Sequence, residues 1–267
     1  MFDWWRRLSR AQIIAEPFPE EFREHVRGRV PCARLLDEAE LSKLEALIRI
    51  FNSEKHFEGA GGLTLTDEMR IAVAARACLL VLQRMELDEP LYPDLQTIII
   101  YPSTYRARVK RQEGYVTVDD EQARLGESWT RGMVVLAWDA VVAGAANLAD
   151  GHDVVIHEFA HQLDGQTGAM DGTPVLDDLD HYTSWSSVAG EAYAELHSAV
   201  ERRRKTALDA YGATNAAEFF AVVVEYFFEK PLLLAQRYPD LYAELALFFK
   251  FDPAYRLAER QNENAPR

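Results

Sequence analysis

The feature that most constrains this chain is an apolar stretch broken on one face by ionisable side chains. Val154-Val155-Ile156 leads into His157-Glu158-Phe159-Ala160-His161, and Leu163 and Asp164-Gly165 close the run. Apolar residues at this spacing predict a buried helix that ends near Gly165. Residues four apart lie on one helix face, about 40° apart in projection. His157 and His161 therefore project together, with Glu158 beside them. A core that takes in two imidazoles and a carboxylate must supply polar partners for them. Two imidazoles so placed can converge on one zinc ion, and Glu158 then stands where it can take a proton from a water that the metal activates. With seven histidines in 267 residues, chance places this pattern in roughly 2 of 100 shuffled chains.

A zinc ion held by two histidines needs a third protein ligand and keeps one position open. A third histidine does not follow at the short metzincin spacing, where Asp164 replaces the Gly and Thr167 the His. Four acids remain as candidates: Asp180 beyond the helix, Glu191 and Glu195 one turn apart on the next helix, and Glu218. Asn215 to Glu218 also reads as a capping box, which would turn Glu218 to solvent. Yet Glu218 leads into Phe219-Phe220-Ala221-Val222-Val223-Val224, and Glu225 falls on roughly the same face seven residues on. Two acids on one stripe of a buried helix call for a polar partner such as a metal and its ligands. Spacing alone does not choose among the four.

The rest of the chain reads as α+β. Residues 1–30, with Pro17 and Pro19, read as an irregular lead-in. A capping box at Asp37 and Glu40 opens a helix carrying Leu41, Leu44, Leu47, Ile48 and Phe51. Thr66 caps a second helix with Ile71, Ala74, Ala75, Cys78, Leu79 and Leu82 on its buried stripe. Strands are expected at Thr97–Tyr101, Tyr115–Val118 and Met133–Trp138. From Asp150 to Phe249 the pattern is helical, with loops at 165–180, 206–214 and 230–239. No regular strand–helix alternation appears. The expected division is 1–90 as lead-in and scaffold helices, 91–255 as the part carrying the motif, and 256–267 as a polar tail, all in one unit, with Arg260 to Arg267 expected to be disordered.

Composition narrows the function. Twenty-nine Lys and Arg against 43 Asp and Glu give a net charge of -14, which repels phosphate backbones and argues against nucleic-acid binding. Glu201-Arg202-Arg203-Arg204-Lys205 reads as a solvated helix face. Cys32 and Cys78 make neither a disulfide framework nor a cysteine-rich zinc site, and Cys78 reads as core. The apolar run from Ile71 to Leu82 is too short to span a bilayer, and Met1–Arg7 has no apolar leader. A cytoplasmic protein without an integral membrane segment is expected. Trp4 and Trp5 read as aromatics docking a terminus, and Trp138 and Trp185 as core. His152 reads as a loop residue, and His181 and His197 as surface or satisfied histidines. Met133–Trp138 reads either as a core strand or as an edge that pairs with extended peptide. Asp164 reads either as an acceptor orienting a zinc-binding histidine or as a surface acid.

Several stretches, taken together, resemble the Mlc titration factor A family of bacterial zinc peptidases. These are His157 to Asp164 followed by Asp171-Gly172-Thr173-Pro174, Glu127-Ser128-Trp129, Gly132 to Trp138, and Glu225-Tyr226-Phe227-Phe228. The resemblance runs from about Tyr92 to Phe249, with its motifs in family order. The segment Tyr211 to Phe220 is also similar to the catalytic domain of anthrax lethal factor. The resemblance implies a zincin-like fold, one zinc ion held by His157, His161 and Glu218, and Glu158 as general base. It places Tyr211 near the metal, where its hydroxyl can stabilise an oxyanion. It implies a peptidase, aminopeptidase-like, acting on short peptides. It also implies a possible second partner, a glucose-responsive transcriptional repressor of the Mlc type, and with it the alternative of a regulatory binding protein. Ala216 departs from the proline this segment would carry, and the first ninety residues match less distinctly.

Overall fold

A computed structural model describes residues 2–103 and 132–263. The expected strand at 115–118 and the Glu127-Ser128-Trp129 motif lie outside the described residues. The first thirty residues form two helices, α1 (Phe2–Ala15) and α2 (Glu20–Arg29), and not an irregular lead-in. Pro17 and Pro19 mark only the break between them, with Pro19 at the N-cap of α2. Arg10 of α1 is buried, forks onto Glu54 at 2.7 and 2.8 Å, and donates to the carbonyls of Leu87 and Glu89.

Helix α3 (Glu38–Glu54) begins at the expected capping box. Asp37 accepts the Glu40 N–H at 2.8 Å and Glu40 accepts the Asp37 N–H at 3.0 Å, an arrangement that contributes about 1 kcal/mol. Helix α4 (Asp67–Val81) is capped by Thr66. From Ile71 to Val81 every residue of α4 is buried, including Arg76. The stripe read from the sequence has widened to the whole circumference because neighbours cover α4 on all sides.

Three short strands form a parallel sheet in the order β1 (His56–Gly59), β2 (Thr97–Tyr101), β3 (Met133–Ala137). His56 stands opposite Thr97, and Thr97 opposite Met133. Strand β1 was not legible, since only Phe57 of its four residues is apolar and buried. Parallel neighbours need a crossover, and α4 lies on the one between β1 and β2. Strand β3 stops one residue earlier than read, because Trp138 opens helix α5 (Trp138–Ala146).

The remaining helices are α6 (Val154–Asp164), α7 (Leu179–Glu201), α8 (Ala216–Glu229), α9 (Pro231–Arg237), α10 (Pro239–Phe249) and α11 (Pro253–Glu263), with a 3-10 turn at Ala210–Ala213. The turn and α9 occupy segments read as loops. Pro231 and Pro239 each open a helix at its first position, where the missing N–H costs nothing. The expected disorder fails at Arg260 to Glu263, which continue α11 as helix, and residues 264–267 lie outside the described residues; Arg256 of the same helix reaches Glu40 at 2.6 Å. Arg202 to Lys205 sit exposed just past the end of α7 and not along its face.

Helix α6 packs between α4 and α8. Phe159 enters an aromatic cluster with Tyr92 and Phe51, at 5.0 and 5.8 Å between ring centres. Phe220, Val223, Val224 and Phe227 of α8 are fully buried, each stabilising the fold by about 2 kcal/mol. Both cysteines are free, and Cys78 is core as expected. No described helix is long and apolar enough to cross a membrane. The architecture is α+β with a zincin-like arrangement of small sheet and central motif helix.

Candidate metal centre

Asp153 starts α6, accepting the N–H groups of Val155 and Ile156 at 3.0 and 3.1 Å through Oδ1. Ile156, Phe159, Ala160 and Leu163 fill the core, which leaves His157 and His161 to face α8. On α8, Asn215 accepts the Glu218 N–H at 2.9 Å. The capping box is thus half made. The Glu218 carboxylate goes not to solvent but to the imidazoles, with Oε2 at 3.0 Å from His157 Nε2 and 3.4 Å from His161 Nε2. The two Nε2 atoms are 3.2 Å apart. A tetrahedral ion with ligands at about 2.0–2.1 Å sets its ligand atoms about 3.3 Å apart. The three donors therefore stand at the spacing such an ion requires, and they are the one such group among the described residues.

Of the other candidates for a third ligand, Asp180, Glu191 and Glu195 lie exposed on α7 and outside this group. Glu158 is buried next to His157 on α6. Tyr211 lies in the 3-10 turn, its N–H held by Asp209 at 2.7 Å. Its ring is 5.9 Å from that of His157, and it is 40% exposed.

The centre rests on a stripe of acids. Glu218, Glu225 and Glu229 fall within about 40° of one another around α8, and all three are buried. Glu225 Oε1 is 2.7 Å from His157 Nδ1, and its Oε2 accepts the Asp153 N–H at 2.7 Å. A carboxylate at Nδ1 favours the tautomer with its proton there and leaves the Nε2 lone pair facing the donor group. Glu229 accepts the N–H groups of Gly151 and His152 at 2.8 and 3.1 Å.

The electrostatics favour positive charge at the centre. Burial opposes protonation of His157, but hydrogen bonds to Glu218 and Glu225 outweigh it and raise its pKa to about 10. Burial likewise opposes ionisation of Glu218, and its hydrogen bonds to the two histidines pull its pKa down to about 2. Burial, with the adjacent charge of His157, lowers that of His161. A proton, or any other cation, is drawn to the space between these side chains.

Asp164 is neither surface nor aimed at a histidine. It is fully buried and accepts the N–H groups of Gly172 and Thr173 at 3.0 and 2.9 Å. Trp185, core as expected, donates to the Gly172 carbonyl at 3.1 Å. His152 is exposed, 3.4 Å from Asp209. His181 is buried beside Glu244 at 3.2 Å, and His197 is exposed near Glu201.

Fold and donor set together define a metallopeptidase of the zincin-like class. The sequence profile of the glucose-regulated metallo-peptidase M90 family matches residues 2–250. A protein of Synechocystis is 39% identical, over 93% of this chain and 90% of its own length. Mlc titration factor A of Serratia proteamaculans is 32% identical, over 88% and 89% of the two chains. Mlc titration factor A of Escherichia coli O7:K1 is 30% identical, over 96% and 94%. The chain belongs to the M90 metallo-peptidase family, that of Mlc titration factor A.

Sequence reasoning missed Asp153, Arg76 and Glu229. Asp153 directly before an apolar run carries the N-cap signal. Glu229 completes a stripe already visible at Glu218 and Glu225. Arg76 is marked only as the one charge in the apolar run Ile71 to Leu82; its partner is 77 residues away.

Proposed function

We propose that this protein is a zinc-dependent peptidase, aminopeptidase-like on short peptides and acting in the cytoplasm. In this reading His157, His161 and Glu218 hold one zinc ion. The single observation that carries it is the 3.0, 3.2 and 3.4 Å triangle of their donor atoms. When bound, zinc supplies a Lewis acid for the scissile carbonyl and for water. Glu158 takes the proton of the attacking water and passes it to the departing amine. Tyr211 donates its hydroxyl to the oxyanion. Glu225 keeps the His157 ring oriented. The burial of His161, Glu218 and Glu158 excludes bulk water from one side of the centre and strengthens these interactions.

The test is the Glu158→Gln variant, assayed on chromogenic aminoacyl and peptide substrates beside wild type. Zinc content should be unchanged and turnover should fall by at least about 10²-fold. Near-normal turnover in a zinc-loaded variant would remove Glu158 from the mechanism.

A second reading rests on the name Mlc titration factor A, borne by the Serratia and Escherichia coli relatives among others. Here the protein binds a transcriptional repressor of the Mlc type, and peptide hydrolysis is secondary. Co-precipitation of Mlc with wild type and Glu158→Gln tests it, since a protein whose main role is binding captures Mlc equally well in both forms, and failure of both to capture Mlc removes this reading.

A further inference from the structure

Arg76 belongs to α4, far from His157 in sequence, yet it lies at the head of an unbroken path to that ring. Its guanidinium is fully buried. Nε pairs with Asp153 Oδ2, and the other nitrogens donate to the carbonyls of Ala72 at 2.9 Å and Arg29 at 2.6 Å. Asp153 uses Oδ1 to cap α6 and its own N–H to hold Glu225 Oε2 at 2.7 Å. The other oxygen of Glu225 meets His157 Nδ1 at 2.7 Å.

We propose that Arg76 is a positioning residue for the metal centre, fixing Asp153 and, through it, the start of α6 and the carboxylate that orients His157. The proposal rests on the reading of His157 as a metal ligand. A buried ion pair is a poor way to add stability, because well-packed apolar residues of the same volume usually serve as well. This pair does something packing cannot. Asp153 and Glu225 bring two carboxylates together at the start of α6, and the Arg76 guanidinium is the cation bonded to the first of them, Asp153. It holds the Asp153 side chain where Oδ1 caps the helix, and the cap in turn fixes the backbone of Asp153, whose N–H meets Glu225. The Arg29 carbonyl that Arg76 also binds is the last of α2, so α2 reaches the centre by the same route.

The experiment is a double-mutant cycle on the full chain, stripped of metal and titrated with zinc against a chromogenic chelator. The proteins are wild type, Arg76→Met, Glu225→Gln and the double variant. Loss of a partner that orients a metal ligand weakens binding by about 10- to 100-fold, and this is expected for Glu225→Gln. Arg76→Met should weaken zinc binding about 10-fold, and the double variant should bind no more than about two-fold more weakly than Glu225→Gln, because both changes break one path. Wild-type zinc affinity in folded Arg76→Met overturns the proposal, as do losses that multiply in the double variant. Unfolding midpoints of the metal-free proteins give a separate readout: a merely structural arginine lowers the midpoint and leaves the zinc affinity of the folded protein unmoved. If Arg76→Met does not fold, Asp153→Asn replaces it. That variant keeps an oxygen for the cap, loses the ion pair, and is judged by the same two criteria. Failure of wild type itself to bind zinc would sink the metal reading. Wild-type binding with an unaffected Arg76 variant would sink only this inference.

Discussion

Replacing Gly172 by Ala tests how the loop after α6 holds the metal centre together. Gly172 has φ +78°, and a Cβ there would stand 2.4 Å from the carbonyl oxygen of Ala216 and 2.8 Å from its carbonyl carbon. Ala216 is the first residue of α8, two before Glu218. The glycine cannot swing aside. Its N–H is bound by buried Asp164 and its carbonyl by Trp185. An alanine in the left-handed region costs about 1–2 kcal/mol. Moving the contact out to ordinary separation shifts the loop or the start of α8 by about 1 Å. That loosens the bonds to Asp164 and leaves a buried carboxylate short of donors, for about another 1–3 kcal/mol. The expected loss is about 2–5 kcal/mol, read as a lower urea midpoint at unchanged slope in the metal-free protein. Gly168→Ala is the control. Its φ is +83° but nothing lies within 4 Å of the new Cβ, so it should lose only the conformational part, about 1–2 kcal/mol. Zinc affinity should fall in Gly172→Ala, where Glu218 moves with its helix, and hold in Gly168→Ala. Equal losses in the two variants, or wild-type zinc affinity in Gly172→Ala, would refute the reasoning.

Burial, aided by the charge of Asp153, raises the pKa of Glu229 from 4.5 to about 8. The folded state thus holds this proton more tightly than the unfolded chain. Its stabilising contribution is complete below pH 4.5 and is lost as pH rises through about 8. Glu229→Gln keeps an acceptor for the Gly151 and His152 N–H groups and does not ionise, so its stability relative to wild type should climb by about a few kcal/mol across that window and then level off. A pH-independent difference in urea midpoint would show that the group is not buried as described. Tyr211→Phe should lower kcat about 10- to 100-fold with zinc affinity unchanged. Unaltered kcat on the chromogenic peptides would take its hydroxyl out of the reaction.

The sequence was most legible where one local pattern had one physical outcome. The capping box at Asp37, the cap at Thr66 and the helix through His157 and His161 all form as the residues predict. Prolines misled. Pro17 and Pro19 made a helical segment look irregular, and Pro231 and Pro239 hid two helix starts inside a supposed loop, because proline is as compatible with a first turn as with a break. Strand β1 could not be seen because its pairing with β2 is settled by tertiary contact and not by four residues of mixed polarity. Asp164 was misjudged for a related reason. Its position at a helix end is local information, but its burial follows from the fold of residues 171–173 back onto it.

Why the acids of α8 are glutamates on one stripe follows from the main chain opposite them. Gly151, His152 and Asp153 immediately precede α6, where no preceding turn of helix accepts their N–H groups. Buried donors of this kind must be satisfied, and Glu229 and Glu225 satisfy all three. Glu225 has a second oxygen to spare, and it goes to His157. Glu218, two turns earlier, has its N–H capped by Asn215 and its carboxylate free for the imidazoles. The ring of His157 is therefore held by the same bonds that make the start of α6 tolerable in the core. A drift of this segment that spoiled the donor triangle would also expose buried N–H groups without partners, at about 1–3 kcal/mol each. The geometry of the centre is in this way protected by backbone requirements that would exist without any metal.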